Sequence, residues 1–294
     1  MEHSHPGISL IGCGRVGCTV ALGLQNAGYQ VLSVSDVNSN AERRARRLLK
    51  LPTEDRSSSA GDLVLIGTPD SQIESAYRLV ARQLMPGQTV VHFSGLLPSS
   101  IFNSAPAAGG VLALHPVMTF PTFPSALTHR RAIPAGCWFA LEGNRKGIAV
   151  GKRLVPALGG RAFVIRAEQK PLFHAACAFA SNFTNVVLDA AMRLAVDAGL
   201  PPRRAWRVLK PLVEATLENL GKAGPVMALT GPVERGDVET IRRHLAALRR
   251  SESGLVPLYQ ALSRHALEMA QKKHRLSTAQ VRAMKKILSS QCTD

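Results

Sequence analysis

Short apolar runs alternate with longer amphipathic stretches up to residue 165 of this chain. The runs are rich in leucine and β-branched residues and predict buried strands at 8–11, 31–34, 63–66, 89–93, 111–114, 137–141 and 161–165. The stretches between them predict helices at 15–27, 40–49, 71–84 and 145–158. Strands that alternate with helices in this way form a mostly parallel sheet with helices on both faces. The first part of the chain is therefore expected to be an α/β domain.

From residue 168 onward the strand signals disappear, and long segments rich in alanine and leucine replace them. The clearest segment begins with Pro171, which suits the first turn of a helix, and ends at Gly199, Pro201 and Pro202. Further helices are predicted at 202–222, 237–247, 257–272 and 277–288. We therefore expect two domains, an α/β domain at 1–166 and an all-α domain at 167–294.

The first predicted strand is followed directly by Gly12, Gly14 and Gly17 in the order G-x-G-x-x-G, at the start of a helix. In a dinucleotide-binding turn the first glycine permits the tight turn, the second admits the pyrophosphate, and the third lets helix and strand pack closely. The helix N-terminus adds free N–H groups and a positive dipole. This context predicts a Rossmann domain whose cofactor loop consists of Gly12, Gly14, Arg15, Val16 and Gly17.

Asp36 closes the second predicted strand, where a carboxylate accepts the 2′-hydroxyl of the adenosine ribose and repels a 2′-phosphate. That position favours NAD. Ser35, Asn38 and Ser39 could instead bind a 2′-phosphate, and Arg43 or Arg44 could balance its charge. The cofactor is therefore expected to be NADP or NAD.

Further candidates lie at the carboxyl ends of the later strands, which line the ligand crevice in sheets of this kind. Thr68 and Pro69 follow the third strand, and Ser94 and Gly95 follow the fourth. We expect these four residues to border the nicotinamide half of the cofactor. His115 ends the next strand and could bind substrate or donate a proton, although it could equally be a capped loop histidine.

A narrow polar stripe runs along the long, otherwise apolar helix that begins near residue 171. At 100° per residue, His174 and Ser181 share one face, and Asn182 lies at its edge. Lys170 directly precedes the helix. Polar groups on a buried helix need a partner, so this stripe indicates either a substrate site or a hydrogen-bonded network between helices.

The segment Leu229-Thr-Gly-Pro-Val-Glu-Arg-Gly-Asp237 is a second concentration of turn and polar residues. Its glycines and proline predict a structured turn, and Asp237 is expected to cap the following helix. A structural role is favoured over the alternative that Arg235 binds a substrate carboxylate or a partner subunit.

The amino-acid composition bears on the binding partners of the protein and on its cellular compartment. The chain has 294 residues and a net charge of +16, with 46% apolar residues, so it is expected to fold around a substantial core. Its basic residues concentrate after residue 241 on amphipathic helices, which favours solvated helix faces over a nucleic-acid surface. The sequence shows no membrane-spanning run or signal peptide, which predicts a cytoplasmic protein. Five scattered cysteines without zinc spacing indicate neither disulfides nor a metal.

Six segments of the chain together carry a family resemblance: GCGRVG, GTPD, HFSG, LHPVMTF, KPLFHAACAFASNF and LTGPVERGD. The chain resembles, over nearly its whole length, a group of Rossmann-like proteins with a characteristic helical C-terminal domain, most of them described as NAD(P) oxidoreductases. More distantly it resembles pyrroline-5-carboxylate reductase, the β-hydroxyacid dehydrogenases and 6-phosphogluconate dehydrogenase. The resemblance implies a homodimer formed through the helical domain, which would also contact the substrate.

The resemblance also implies hydride transfer between NAD(P)H and a small carbonyl, imine or hydroxyacid substrate in the cleft between domains. The β-hydroxyacid dehydrogenases use a lysine and an asparagine one helical turn apart, whereas Lys170 is followed at that spacing by His174. We therefore expect His174 to handle the proton with help from His115, while Ser181 and Asn182 orient the substrate. The alternative is a sensor or scaffold that binds NAD(P) without turnover.

Overall fold

The computed structural model describes residues 6–52, 61–102, 109–124 and 133–289. They divide into two compact units, Met1–Asn182 and Phe183–Asp294. The sequence analysis places the change of domain earlier, between residues 166 and 167. The residues between the two boundaries belong to the helix that completes the first unit.

The first unit is built on a seven-stranded sheet in the order β2-β1-β3-β4-β5-β6-β7. The strands are β1 Gly7–Ile11, β2 Gln30–Ser35, β3 Leu63–Ile66, β4 Thr89–His92, β5 Gly110–Pro116, β6 Trp138–Gly143 and β7 Arg161–Val164. All neighbours pair in parallel except β5 and β6, which are antiparallel. The predicted mostly parallel sheet is confirmed, and β1 and β3 flank the point where the strand order reverses.

The described residues of this unit include five α-helices, and apolar side chains of these helices pack on both faces of the sheet. They are α1 Arg15–Asn26, α2 Ser39–Leu48, α3 Ile73–Ala81, α4 Arg145–Ala157 and α5 Lys170–Ala178. Alternate residues of a strand point to opposite faces. Leu65 and Leu112 therefore join one apolar cluster, and Val64 and Val111 join another.

The long predicted helix is helical throughout but contains a wide turn. After α5, residues Phe179–Phe183 form a π-helical turn, and α6 continues from Thr184 to Asp197. A π turn inserts one residue per turn relative to an α-helix and changes which side chains share a face. The hydrophobic pattern alone does not distinguish the two, and the sequence analysis assumed regular α geometry.

The second unit contains only helices among its described residues, as predicted. After α6 come α7 Pro202–Ala228, α8 Pro232–Arg235, α9 Val238–Ser251, α10 Val256–Gln271 and α11 Thr278–Ser289. Helix α7 bends at Gly224, whose φ is 72°. Asp237 caps α9 by accepting a hydrogen bond from Thr240 N, which confirms its predicted role. None of the described helices is both long and apolar enough to cross a bilayer.

Candidate functional site

A cleft of about 540 Å³ lies at the carboxyl ends of β1, β2 and β3, where the strand order reverses. Ligands of open α/β sheets bind at this position. Among the predicted cofactor residues, the ones that line the cleft are Gly12, Gly14, Asp36, Thr68 and Pro69. The structure therefore brings together residues from three strand ends that the sequence analysis assigned to one ligand.

The turn after β1 packs against the end of β3 through glycines. Gly12 has a φ of +84°, and a Cβ atom there would lie 2.6 Å from Thr68 N. A Cβ atom on Gly14 would lie 2.8 Å from Gly67 O, and one on Gly17 would lie 3.1 Å from Gly67 Cα. The N-cap residue of α1 is Gly14, so no N-cap side chain accepts a hydrogen bond from the first N–H groups of this helix.

Asp36 is fixed by backbone hydrogen bonds at the end of β2. Its Oδ2 accepts from Cys13 N at 2.7 Å, and its Oδ1 accepts from Asn38 N at 2.8 Å. Each carboxylate oxygen can accept a further hydrogen bond. Asp36 therefore shapes the phosphate-binding turn and can still receive a ribose hydroxyl.

The same end of the cleft carries a cation and two exposed apolar side chains. Arg44 lines the cleft, and its guanidinium lies 3.7 Å from the centroid of the Phe123 ring. Val37 is 97% exposed and Leu79 is 74% exposed, and both line the cleft. Exposed apolar side chains on a cleft wall suit the faces of an adenine ring.

A buried hydroxyl in this cleft has no hydrogen-bond partner among the described residues. It is Thr68 Oγ1, directly after β3. Buried polar atoms are almost always paired, so an unpaired one at a cleft wall indicates a missing ligand or water. The glycine cradle, the uncapped helix and this hydroxyl together fit a dinucleotide.

Ser94 and Gly95 lie elsewhere in the first unit. Ser94 Oγ donates to Asp70 Oδ2 at 2.6 Å and accepts from the backbone N–H groups of Leu96 and Leu97. Its hydroxyl is therefore fully used within the protein. Neither Ser94 nor Gly95 belongs to the described lining of the dinucleotide cleft. The same is true of Arg15, Val16 and Gly17. The Arg15 side chain instead donates a hydrogen bond to Phe120 O.

A second pocket, of about 530 Å³, lies between the segment after β5 and the end of the first unit. Four of the five predicted catalytic residues line this pocket: His115, His174, Ser181 and Asn182. Ser181 and Asn182 lie in the π turn. The pocket wall therefore continues from α5 into the π turn.

The two histidines of this pocket meet against Gly95. Their ring centroids are 6.0 Å apart, and a Cβ atom on Gly95 would lie 2.7 Å from His174 Cδ2 and 2.9 Å from His115 Nε2. His115 Nδ1 lies 3.3 Å from Phe93 O, so Nδ1 carries the proton. Nε2 is then an acceptor that has no partner among the described residues. Burial lowers the pKa of His115 to about 4, so the ring is neutral at physiological pH.

Lys170, the fifth predicted catalytic residue, is 1% exposed and lies outside the described lining of this pocket. Its Nζ donates to Ser94 O at 3.1 Å. Burial lowers the pKa of Lys170 to about 8, against the opposing charges of Glu142 and Asp70. A lysine of this kind is a cation at neutral pH and releases its proton more readily than a solvated lysine.

Three polar residues near Lys170 were missed by the sequence analysis as site residues. Asp70 binds Ser94, His92 is fully buried, and Glu142 is buried on β6. The only sequence signal for Glu142 is a carboxylate inside an otherwise apolar strand, and the signal for His92 is an imidazole in a strand. Both are exceptions to an apolar pattern, and such exceptions mark functional candidates.

Two family models match separate parts of the chain. Residues 2–116 match the Rossmann-like domain family, and residues 137–266 match a family described as a domain of unknown function, DUF2520. The second match begins at β6, inside the sheet, and extends through most of the helices. No curated protein sequence matches the chain.

Solved structures resemble the chain over most of its length. A candidate NADP oxidoreductase from Bacteroides fragilis has a TM-score of 0.73 and 23% identity, covering 90% of this chain and 99% of that one. A protein of Thermotoga maritima has a TM-score of 0.68 and 22% identity, covering 91% and 100%. Pyrroline carboxylate reductase of Plasmodium falciparum, solved with NADP bound, has a TM-score of 0.57 and 12% identity, covering 92% and 98%.

At these identities the similarities establish the fold. They confirm the resemblance that the motifs indicated, including the more distant one to pyrroline-5-carboxylate reductase. Residues 2–116 are thus similar to Rossmann-like domains and residues 137–266 to DUF2520 regions.

Proposed function

We propose that this protein is an NAD(P)-dependent oxidoreductase that transfers hydride to or from a small carbonyl, imine or hydroxyacid substrate. The observation that carries the proposal is the dinucleotide cleft, which is lined by Gly12 and Gly14 of the glycine turn, by Asp36 and by Thr68, whose buried hydroxyl has no partner among the described residues. The names of the similar NADP-dependent proteins support the same cofactor class.

In this proposal the residues of the cleft bind the cofactor, which supplies the hydride when bound. The turn of Gly12 and Gly14 holds the pyrophosphate, Val37 and Leu79 contact the adenine, and Asp36 receives the ribose. Asp36 favours NAD, while Arg44 could balance the charge of a 2′-phosphate. NADP and NAD are therefore both candidates.

The pocket of His115, His174, Ser181 and Asn182 is the candidate substrate site. His115 is neutral with its Nδ1 protonated, so it can accept but not donate at Nε2. This leaves His174 and Lys170 as the candidates that hold the proton for a reduced substrate. Ser181 and Asn182 are placed to orient the substrate by hydrogen bonds.

Cofactor binding tests the proposal. NADH or NADPH should raise the thermal unfolding temperature because each ligand binds only the folded state. At a hundredfold excess over Kd, the gain in unfolding free energy is about 2.7 kcal/mol. Val37→Asp should weaken binding at least tenfold without harming the fold, since Val37 is almost fully exposed. Met85→Asp, at an exposed residue outside the described lining of the cleft, is the matched control.

Absence of a shift with either cofactor at millimolar concentration would refute the proposal. If a cofactor binds, its oxidation in the presence of a panel of carbonyl and imine compounds separates an enzyme from a sensor that binds without turnover. The ratio of NADH to NADPH affinity decides between the two cofactors.

We also propose that the protein is a homodimer that associates through its helical unit. Many large apolar side chains of that unit are exposed in the single chain, mostly on the neighbouring helices α6 and α7, and exposed apolar surface of this kind is typical of interfaces. They are Phe183, Val186, Val187, Trp206, Val208, Leu212, Leu217, Leu220 and Met227.

A further inference from the structure

One arginine of α2 lines the dinucleotide cleft and has no carboxylate partner. This residue is Arg44, and within the part of the chain that the structure describes its guanidinium makes neither a hydrogen bond nor an ion pair. Two other arginines of the same helix are used within the protein. Arg43 donates to Asn40 Oδ1 at 2.5 Å, and Arg46 pairs with Glu42 at 3.0 Å. The N–H donors of Arg44 are therefore available to a ligand of the cleft.

An aromatic ring from a distant part of the sequence holds the Arg44 guanidinium. Its carbon Cζ lies 3.7 Å from the centroid of the Phe123 ring, a distance at which the face of the ring attracts a cation. Phe123 is itself anchored, because it packs against the buried apolar cluster on one face of the sheet. A long side chain that is already held in place loses less conformational freedom when it binds a ligand. Phe123 therefore prepares Arg44 for binding.

Phe123 belongs to a segment, residues 117–124, that follows β5 and takes part in both pockets. Its first residues line the substrate pocket, as Val117, Met118 and Thr119. Its last described residues reach the cofactor side, where Phe123 contacts Arg44. The backbone that walls the substrate pocket thus also carries the ring that places a cation at the dinucleotide cleft.

The donors at this end of the cleft suit a phosphate group attached to the ribose. A guanidinium binds phosphate oxygens through parallel N–H donors, and Arg44 supplies one in a fixed place. Asn38 lines the same cleft. Its Oδ1 accepts from Asn40 N and Ala41 N at the start of α2, so its amide nitrogen remains as a further donor.

Asp36 is the group that opposes a phosphate here, since a carboxylate repels a 2′-phosphate. Both of its oxygens, however, already accept a backbone N–H group, from Cys13 at 2.7 Å and from Asn38 at 2.8 Å. These hydrogen bonds hold the carboxylate against the turn after β1 and stabilise its charge. Its remaining acceptor positions suit the ribose 3′-hydroxyl, which NAD and NADP share.

We propose that Arg44 binds the 2′-phosphate of NADP(H) and that Phe123 is the positioning residue that holds its guanidinium at the cleft. The protein then prefers NADP(H) to NAD(H). The proposal rests on the proposed function and narrows its two candidate cofactors to one.

Calorimetric titration with NADPH and NADH tests the proposal and needs no substrate. The wild-type protein should bind NADPH about tenfold more tightly than NADH or better, because only NADPH carries the phosphate that pairs with the guanidinium. Arg44→Met should remove this difference and leave NADH binding almost unchanged. Arg43→Met is the matched control, because it removes the same charge from the same helix at a residue outside the described lining of the cleft. It should keep most of the preference for NADPH.

Two variants of Phe123 test the positioning role. Phe123→Leu keeps an apolar side chain in the cluster but removes the ring face, so it should lower the ratio of NADPH to NADH affinity. Phe123→Tyr keeps the ring and should retain the wild-type ratio. A role in packing alone would change the affinity for both cofactors equally and leave the ratio unchanged. If Phe123→Leu does not fold, Phe123→Met takes its place.

Equal affinity for the two cofactors, or tighter binding of NADH, would overturn the proposal and leave the proposed function intact. An equal loss of preference in Arg43→Met and Arg44→Met would also overturn it, since that result indicates general attraction to a basic helix. A wild-type ratio in the Phe123 variant without a ring would overturn the role of Phe123. If neither cofactor binds, the proposed function itself fails, so the two failures are distinguishable.

Discussion

His92 and His115 are neutral imidazoles held inside the first unit at the ends of β4 and β5. Ser94 N donates to His92 Nδ1 at 3.2 Å, so the proton of this ring is on Nε2. Burial lowers the pKa of His92 to about 3, and the positive charge of Lys170 acts in the same direction. A neutral ring beside a buried cation avoids like-charge repulsion, which is one reason why Lys170 can be accommodated there.

Stability should therefore fall in mild acid. The pKa of His92 is lower in the folded protein than in the unfolded chain, where it is 6.5. The unfolded chain binds the proton first as the pH falls below 6.5, so stability is lost from there down to about pH 3. Between pH 7 and pH 5, His92 alone should cost about 2 kcal/mol of unfolding free energy.

His92→Asn is the variant that tests this loss, because the asparagine Oδ1 can still accept from Ser94 N. Urea unfolding at pH 7 and pH 5 should show a smaller loss for the variant than for the wild-type protein. Equal losses in the two proteins would show that His92 is charged in the folded state or contributes nothing to acid sensitivity.

At the scale of elements, the turn after β1 and the end of β3 form one packed unit of backbone. A Cβ atom on Gly67 would lie 2.6 Å from Gly12 O and 2.9 Å from Gly17 Cα. Both neighbours are backbone atoms, which cannot move aside as a flexible side chain can. The geometry of the cofactor loop therefore depends on a glycine that lies outside the G-x-G-x-x-G motif.

Gly67→Ala should destabilise the first unit by about 1–3 kcal/mol, as overpacking does elsewhere, and should weaken cofactor binding. Gly87→Ala is the matched control, since Gly87 has a φ of +96° but nothing within 4 Å of the added atom. The Gly87→Ala variant should lose about 1 kcal/mol of unfolding free energy because of backbone strain. It should keep its affinity for NADH and NADPH. Chemical denaturation and calorimetric titration with NADH and NADPH measure both effects, and equal affinities in the two variants would contradict the expectation.

The strands and most helices could be predicted because local patterns determine them. Runs such as Leu63–Ile66 and motifs such as Gly12, Gly14 and Gly17 carry their own signals, and the strand ends follow from the parallel topology. The π turn could not be predicted, because its residues keep an ordinary helical pattern. Glu142 and His92 could not be connected either, since only the pairing of both β4 and β6 with β5 places them on one face.

At the scale of the whole molecule, some of the basic residues behind the net charge of +16 have structural contacts in the helical unit. Lys273 Nζ donates hydrogen bonds to Leu229 O at 2.5 Å and to Met227 O at 3.3 Å. These bonds satisfy carbonyl groups at the end of α7. Arg242 and Arg243 pair with Glu239 on the surface of α9. Exposed pairs of this kind add little stability, but they keep the helix faces hydrated.

The apolar surface of α6 and α7 has no such explanation within one chain, and it carries the prediction of a homodimer. Sedimentation velocity should give twice the 31.5 kDa mass of the chain. Leu212→Glu combined with Leu217→Glu should yield a monomer, because both side chains are exposed in the single chain and would place charges in the interface. Met85→Glu, an exposed residue of the first unit, should remain dimeric. A monomeric wild-type protein would contradict the prediction, and a dimer that survives the double substitution would place the interface on another surface.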